Sequence, residues 1–175
     1  MIETQRTILR PLEPEDNEQI YSYRSDAETN KYQGWIPKSL EDVNEFISKN
    51  PKEFNKPESW FQLVIKQKET DKIIGDIGIH FMDRDNFQCE IGCTLNKDNH
   101  GKGYAAEALG AVIDYLFNKL GKHRIITSID PENTSSINLV KRLGFRKEAH
   151  FKQSLLIHGK WVDDIIYAML RSDLS

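Results

Sequence analysis

Two stretches of the chain hold residue types from which a reactive site can be built. In "NHGKGYAAEALGAVIDYLF", Asn99 to Phe117, two glycines flank a lysine just ahead of a helical pattern. In "FQCEIGCTL", Phe87 to Leu95, one carboxylate, Glu90, interrupts an apolar strand pattern. The first arrangement suits an anion. Gly101 and Gly103 let backbone approach a ligand, first-turn amides have no intrahelical acceptor, and the helix dipole favours negative charge. The second suits a proton or a cation. Strand alternation puts Cys89, Ile91, Cys93 and Leu95 on one face and Gln88, Glu90, Gly92 and Thr94 on the other. Glu90 therefore leaves the apolar face.

Which anion the glycine turn takes depends on its surroundings. A Walker A loop needs glycine at 96 and Ser or Thr at 103, where this chain has Asn96 and Gly103. "GKGYAA" does match the G-x-G-x-x-A of a Rossmann turn, and Asp130 closes the next strand pattern. However, "NKDNH" separates the glycines from the preceding strand, and no further βαβ units follow. On spacing alone, a pyrophosphate cradle and a turn without a ligand both stand.

The elements that must position these residues read clearly. "RTILRPL" is a first strand, and Pro14 with Glu13, Glu15 and Asp16 opens a helix running to about Arg24. Ser39 and Asp42 form a capping box for a second helix reaching Lys49. Trp60 to Lys66, Lys72 to Phe81 and Phe87 to Leu95 read as an antiparallel meander. Leu109, Val112, Ile113, Leu116 and Phe117 make one apolar helical stripe, ended by Gly121. "HRIITSID" is a strand, "NTSSINLVKRLGF" a short helix, and His150 to Ile157 with Lys160 to Leu170 a hairpin turned at His158-Gly159. The order β-α-α-β-β-β-α-β-α-β-β is α+β, with seven strands in one mixed sheet, about four helices, and a single domain over 1–175.

Composition narrows the partners. Twenty-four basic against 27 acidic residues give a net charge of −3, which offers no footprint for nucleic acid. No apolar run nears the roughly 18 residues of a membrane span, and "MIETQRTILRPLEPED" has no signal-peptide core. The chain reads as cytoplasmic. Four residues apart on one strand face, Cys89 and Cys93 are separated by roughly 13 Å, beyond disulfide reach. No spacing supplies further zinc ligands, so no metal is implied.

Several segments together resemble the GCN5-related N-acetyltransferases (GNAT). They are "EIGCTL" followed by "HGKGYAAEAL", then "NTSSINLVKRLGF", with "ILRPLEPED", "IIGDIGI" and "HGKWVDDIIYAML" elsewhere. The likeness is to the ribosomal-protein-alanine (RimJ/RimL-type) branch and covers nearly the whole chain. It implies acetyl-CoA as donor and an amine as acceptor. It also implies that the fourth and fifth strands, Phe87 to Leu95 and Arg124 to Ile129, splay to admit the pantetheine arm.

The resemblance also assigns residues. Asn99, His100, Gly101, Lys102, Gly103, Tyr104 and Ala105 match the pyrophosphate loop, although Asp98 stands where the family has Gln or Arg. Backbone of Ile91, Gly92, Cys93 and Thr94 would line the pantetheine arm and polarise the thioester. Glu90 matches the fourth-strand acid that serves as base or amine ligand. Val140 replaces the family tyrosine that protonates the CoA thiolate, and Ser136 matches the serine proposed for that role in this branch. Asn133 matches the asparagine that contacts the cofactor. Tyr32 and Trp35 lie in the loop that shapes the acceptor site, and Asp76 and His80 share the less apolar face of their strand. Direct attack by a primary amine in a ternary complex is the implied route. The acceptor remains open between a protein N-terminus, such as that of a ribosomal protein, and a polyamine, aminoglycoside or other small amine. A homodimer is also left open. The competing class is an acetyl-CoA-binding sensor without turnover.

Overall fold

Turn chemistry and alternation fix the order of elements. The computed structural model describes residues 1–174. β1, Ile2–Glu3, pairs with β2, Thr7–Pro11. Pro14 opens a 3-10 turn that runs into α1, Asn17–Arg24. α2, Leu40–Ser48, begins at the expected capping box. The Asp42 amide donates to Ser39 Oγ at 3.2 Å, and the Asp42 carboxylate accepts from the Ser39 amide at 3.1 Å. β3, Ser59–Gln67, β4, Ile73–Phe81, and β5, Gln88–Leu95, form the antiparallel meander. α3, Tyr104–Asp114, continues as a wider π turn through Lys119. β6, Arg124–Ile129, leads to α4, Thr134–Arg142. β7, Arg146–Ile157, and β8, Lys160–Leu170, then pair as a hairpin. Its turn residues, His158 and Gly159, have φ of 49° and 75°, the doubly positive pattern that suits strand twist.

These strands form one mixed sheet in the order β1-β2-β3-β4-β5-β6-β8-β7, and only β5 and β6 run parallel. The α+β class and the four helices match the sequence reading. The strand count is eight rather than seven, because β1 has two residues, too few to show alternation. β7 also begins at Arg146, four residues ahead of His150. Most of its residues are exposed, so no buried face marks its start. Among the described residues, no helix is long and apolar enough to cross a membrane.

The helices cover both faces of the sheet. The predicted stripe of α3 is buried throughout and packs with Phe61, Ile77, Ile79 and Phe81, joined by Val140 of α4. Each such side chain is worth about 1.5–3 kcal/mol on burial. On the other face Ile20 of α1 and Val43 and Ile47 of α2 pack against Val64 of β3.

One polar contact clamps α1 to the sheet. Arg24 donates through Nε and Nη2 to the two carboxylate oxygens of Asp76, at 3.0 and 2.5 Å. The Tyr23 hydroxyl donates to the same carboxylate at 2.6 Å. All three residues are buried. Burial, then the neighbouring Asp76 charge, pushes the Tyr23 phenol well above its ordinary range. Asp76→Ala leaves the Arg24 charge buried without its partner. Urea denaturation should show a loss of about 3–5 kcal/mol. A loss below about 1 kcal/mol, as for a surface pair, would contradict the clamp.

Candidate active site

The site begins where a strand pair comes apart. β5 and β6 pair at Gln88↔Arg124, Cys89↔Ile125 and Glu90↔Ile126, and there the ladder stops. β5 stays on β4 as far as Leu95↔Gly75, and β6 stays on β8 as far as Ile129↔Ile165. Each strand is thus held from outside while the two diverge, as expected for the fourth and fifth strands. The fork opens into a cavity of about 730 Å³ lined by Glu90, the run Ile91 to Thr94, and Ser128.

Glu90 sits at the point of the fork. Burial pushes its carboxyl above the ordinary glutamate range, with His80 pulling the other way. His80 Nδ1 lies 3.8 Å from Glu90 Oε2, and its ring stacks on Trp60 at 4.6 Å. Across the fork, Ser128 Oγ donates to Asp164 Oδ1 at 2.6 Å. Burial pushes both the Cys89 and Cys93 thiols up to about 12, so neither is a nucleophilic thiolate near neutral pH.

The glycine turn follows β5 after a short 3-10 turn, Lys97–Asn99. Gly101 and Gly103 adopt φ of 71° and 81°, where a side chain is strained. The first helical bond runs from the Glu107 amide to the Gly103 carbonyl at 3.0 Å. The amides ahead of it, from Gly101 to Ala106, are left for another acceptor. His100 closes the end of the fork, because its Nε2 donates to the Leu95 carbonyl at 2.8 Å. A carbonyl only accepts, so this nitrogen carries the proton. Lys102 Nζ donates to the Asp98 carbonyl at 2.7 Å, and the Asp98 side chain is exposed.

Arg6, which the sequence did not single out, braces this turn from β2's leading edge. It donates to the Lys102 carbonyl at 2.9 Å, pairs with Glu107 at 2.7 Å and lies 4.3 Å over the Tyr104 ring. Burial alone would raise the Glu107 carboxyl, but hydrogen bonds from Thr4 and Arg6 outweigh it and hold the carboxyl below its ordinary range.

The remaining candidates divide. Tyr32 and Trp35 line the cavity, Trp35 stacking on Phe46 at 4.5 Å. Neither Asp76 nor His80 lines it: Asp76 is held by Arg24 and Tyr23, and His80 reaches it only through Glu90. Asn133 caps α4, its Oδ1 accepting from the Ser136 amide at 3.2 Å. Ser136 lies in that first turn, half-buried, and Val140 is in the core. Arg146 pairs with Glu148 and Asp173. The hairpin tip, Leu155 to Ile157, forms an unforeseen wall of the cavity. Its one signal in the sequence is an apolar run beside a turn.

A Cβ at Gly103 would come within 3.3 Å of Arg6 Nη2 in addition to its backbone strain, whereas Gly101 faces open space. Gly103→Ala should cost about 1–3 kcal/mol in chemical denaturation, and Gly101→Ala a smaller amount within that range. Unchanged stability in Gly103→Ala would contradict the braced turn.

Known proteins share this fold. Residues 6–146 match the family model described as an acetyltransferase (GNAT) domain. The chain is 33% identical to p20 of Bacillus licheniformis, an uncharacterized N-acetyltransferase, over 98% of this chain and 97% of that one. It is 35% identical to the ribosomal protein uS5-alanine N-acetyltransferase of Escherichia coli, over 69% of this chain and 63% of that one. A GNAT-family acetyltransferase from Bacillus anthracis superposes with a TM-score of 0.88 at 30% identity, covering 98% of both chains. The spermidine N-acetyltransferase of Vibrio cholerae, solved with CoA and spermine, gives 0.82 at 21% identity over 95% of this chain and 96% of that one, a likeness of fold. With the family model spanning most of its length, the chain belongs to the GNAT acetyltransferases, acyltransferases that use acetyl-CoA.

Proposed function

We propose that this protein transfers an acetyl group from acetyl-CoA to a primary amine by direct attack in a ternary complex, with Glu90 as base. The observation that carries this reading is the fork between β5 and β6 with a half-buried carboxylate at its point.

The residues present fit the donor. Beyond Glu90 the β6-facing backbone of β5, at Ile91 and Cys93, has no ladder partner, which gives an extended thioester arm a strand-like partner. The turn offers the amides of Gly101 to Ala106 at a helix N-terminus, with Asn99, His100 and Lys102 around them, which suits a pyrophosphate. Acetyl-CoA supplies an acyl group activated as a thioester. The chain's own groups do the rest. Glu90 attracts the ammonium form of the acceptor and takes its proton. Its raised pKa brings it nearer to the amine and makes that transfer less uphill. The gap-facing amides of Ile91 and Cys93 are donors for the acyl oxygen as it gains charge. Ser136, at the start of α4, is the proposed proton donor to the leaving sulfur, and Asn133 holds that turn. Burial keeps both thiols protonated, which favours direct attack over an acyl-cysteine.

The relative acting on ribosomal protein uS5 supports a protein N-terminus as acceptor, and the spermidine enzyme supports a small amine only through shared fold. A binding-only sensor would have the fork but would show no turnover.

Glu90→Gln separates enzyme from sensor. In a thiol-release assay kcat should fall about 10²- to 10⁴-fold, while calorimetry shows acetyl-CoA affinity unchanged. A base works ionised, so activity is present above the Glu90 pKa and lost below it. The acidic limb of the wild-type profile should therefore lie above the ordinary glutamate range and vanish in Glu90→Gln. Wild-type turnover in that variant would remove Glu90 as base.

A further inference from the structure

The cavity beyond Glu90 has two kinds of wall, and together they describe the acceptor. One is apolar: Trp35, Phe46 and Trp60 from the sheet side, and Leu155, Leu156 and Ile157 from the hairpin. Leu156 is 60% exposed and Trp60 47%, so this surface faces the open cavity. His158 Nε2 donates to the Gln33 carbonyl at 2.9 Å, which ties the hairpin tip to the loop carrying Tyr32 and Trp35. The apolar wall is thereby held across from Glu90.

The other wall is polar, and most of its acids already hold a hydrogen-bond or ion-pair partner. Three acids line the cavity: Asp42, Glu45 and Glu90. The Asp42 carboxylate caps α2, accepting the amides of Lys38 and Ser39 at 2.7 and 3.1 Å. Glu45 pairs with Lys49 at 2.7 Å. Two further acids nearby, Asp76 and Asp164, are held by Arg24 and Ser128. Among the described residues, Glu90 alone of these acids has no partner within hydrogen-bond distance, His80 being nearest at 3.8 Å.

Gln62 adds a neutral acceptor. Its Oε1 is buried with no hydrogen-bond partner among the described residues. It sits opposite Gly78, where a Cβ would meet the Gln62 amide at 2.8 Å. Glycine there makes room for a carboxamide that can accept a ligand N–H.

We propose that the acceptor is a primary amine with one positive charge and an apolar or aromatic body. The ammonium binds at Glu90 and Gln62, and the body lies against Trp35, Trp60 and the Leu155 to Ile157 tip. This rests on the acetyltransferase reading. A polyamine or aminoglycoside would lay its remaining ammonium groups along leucine side chains and acids that are already engaged, which desolvation penalises.

The test is thiol release by the full chain at saturating acetyl-CoA, with 2-phenylethylamine, a Phe-Gly-Gly amide peptide, spermidine and kanamycin. The better of the two aromatic acceptors should exceed spermidine and kanamycin in kcat/KM by about 10- to 100-fold, the worth of burying one aromatic side chain. The ratio between the aromatic arms identifies a free amine or a chain terminus as the source. Leu156→Ser, at an exposed tip, should raise KM for the aromatic acceptor about tenfold with kcat little changed. Spermidine or kanamycin used as well as the aromatic acceptors, or an unmoved KM in Leu156→Ser, would overturn the proposal and leave acetyl transfer standing. No transfer to any amine, with no acetyl-CoA binding by calorimetry, would remove the acetyltransferase reading and the proposal together.

Discussion

A parallel strand pair that stops after three residues leaves backbone donors and acceptors facing each other across a gap. Such groups need partners, and a pair of strands left free would close to supply them. Here closure is resisted from outside. β4 holds β5 to its last residue, and β8 holds β6 along its full length. The gap is therefore part of the sheet's topology rather than a local defect. It places Glu90 at the narrow end, and a short 3-10 turn leads from β5 to the glycine turn. A carboxylate, alternate freed amides and a helix N-terminus thus follow one another along about fifteen residues of chain, Glu90 to Tyr104.

Beyond the fork, one local and several distant contacts hold the glycine turn. His100 satisfies the Leu95 carbonyl, and Arg6 reaches across from the first strands to Lys102, Tyr104 and Glu107. A half-exposed pair such as Arg6–Glu107 contributes only about 0–1 kcal/mol. Its importance is positional: it orients the first turn of α3 while leaving that turn's amides free. The buried Asp76 clamp is different in kind, since it fixes α1, and with it the Tyr32 and Trp35 loop, against the sheet.

Much of this was legible because it depends on local patterning. The stripe from Leu109 to Phe117, the Ser39 capping box and the positive-φ glycines each follow from residue type and spacing. The alternation that put Glu90 off the apolar face also held. What escaped reading was long-range or unpatterned. Arg6 meets Glu107 across 101 positions, and nothing near either announces the other. Asp76 looked available because alternation reports a face, not whether Arg24 covers it. β7 is exposed along most of its length, so its start and its role as a cavity wall left little periodicity to find.

Amide hydrogen exchange with and without saturating acetyl-CoA tests the fork most directly. If the parted strands and the turn together hold the donor, protection should rise at Ile91, Cys93 and Gly101 to Ala106, while β3 and β4 stay as they were. Saturating binding that leaves both segments unprotected, or that protects another part of the sheet, would contradict the account.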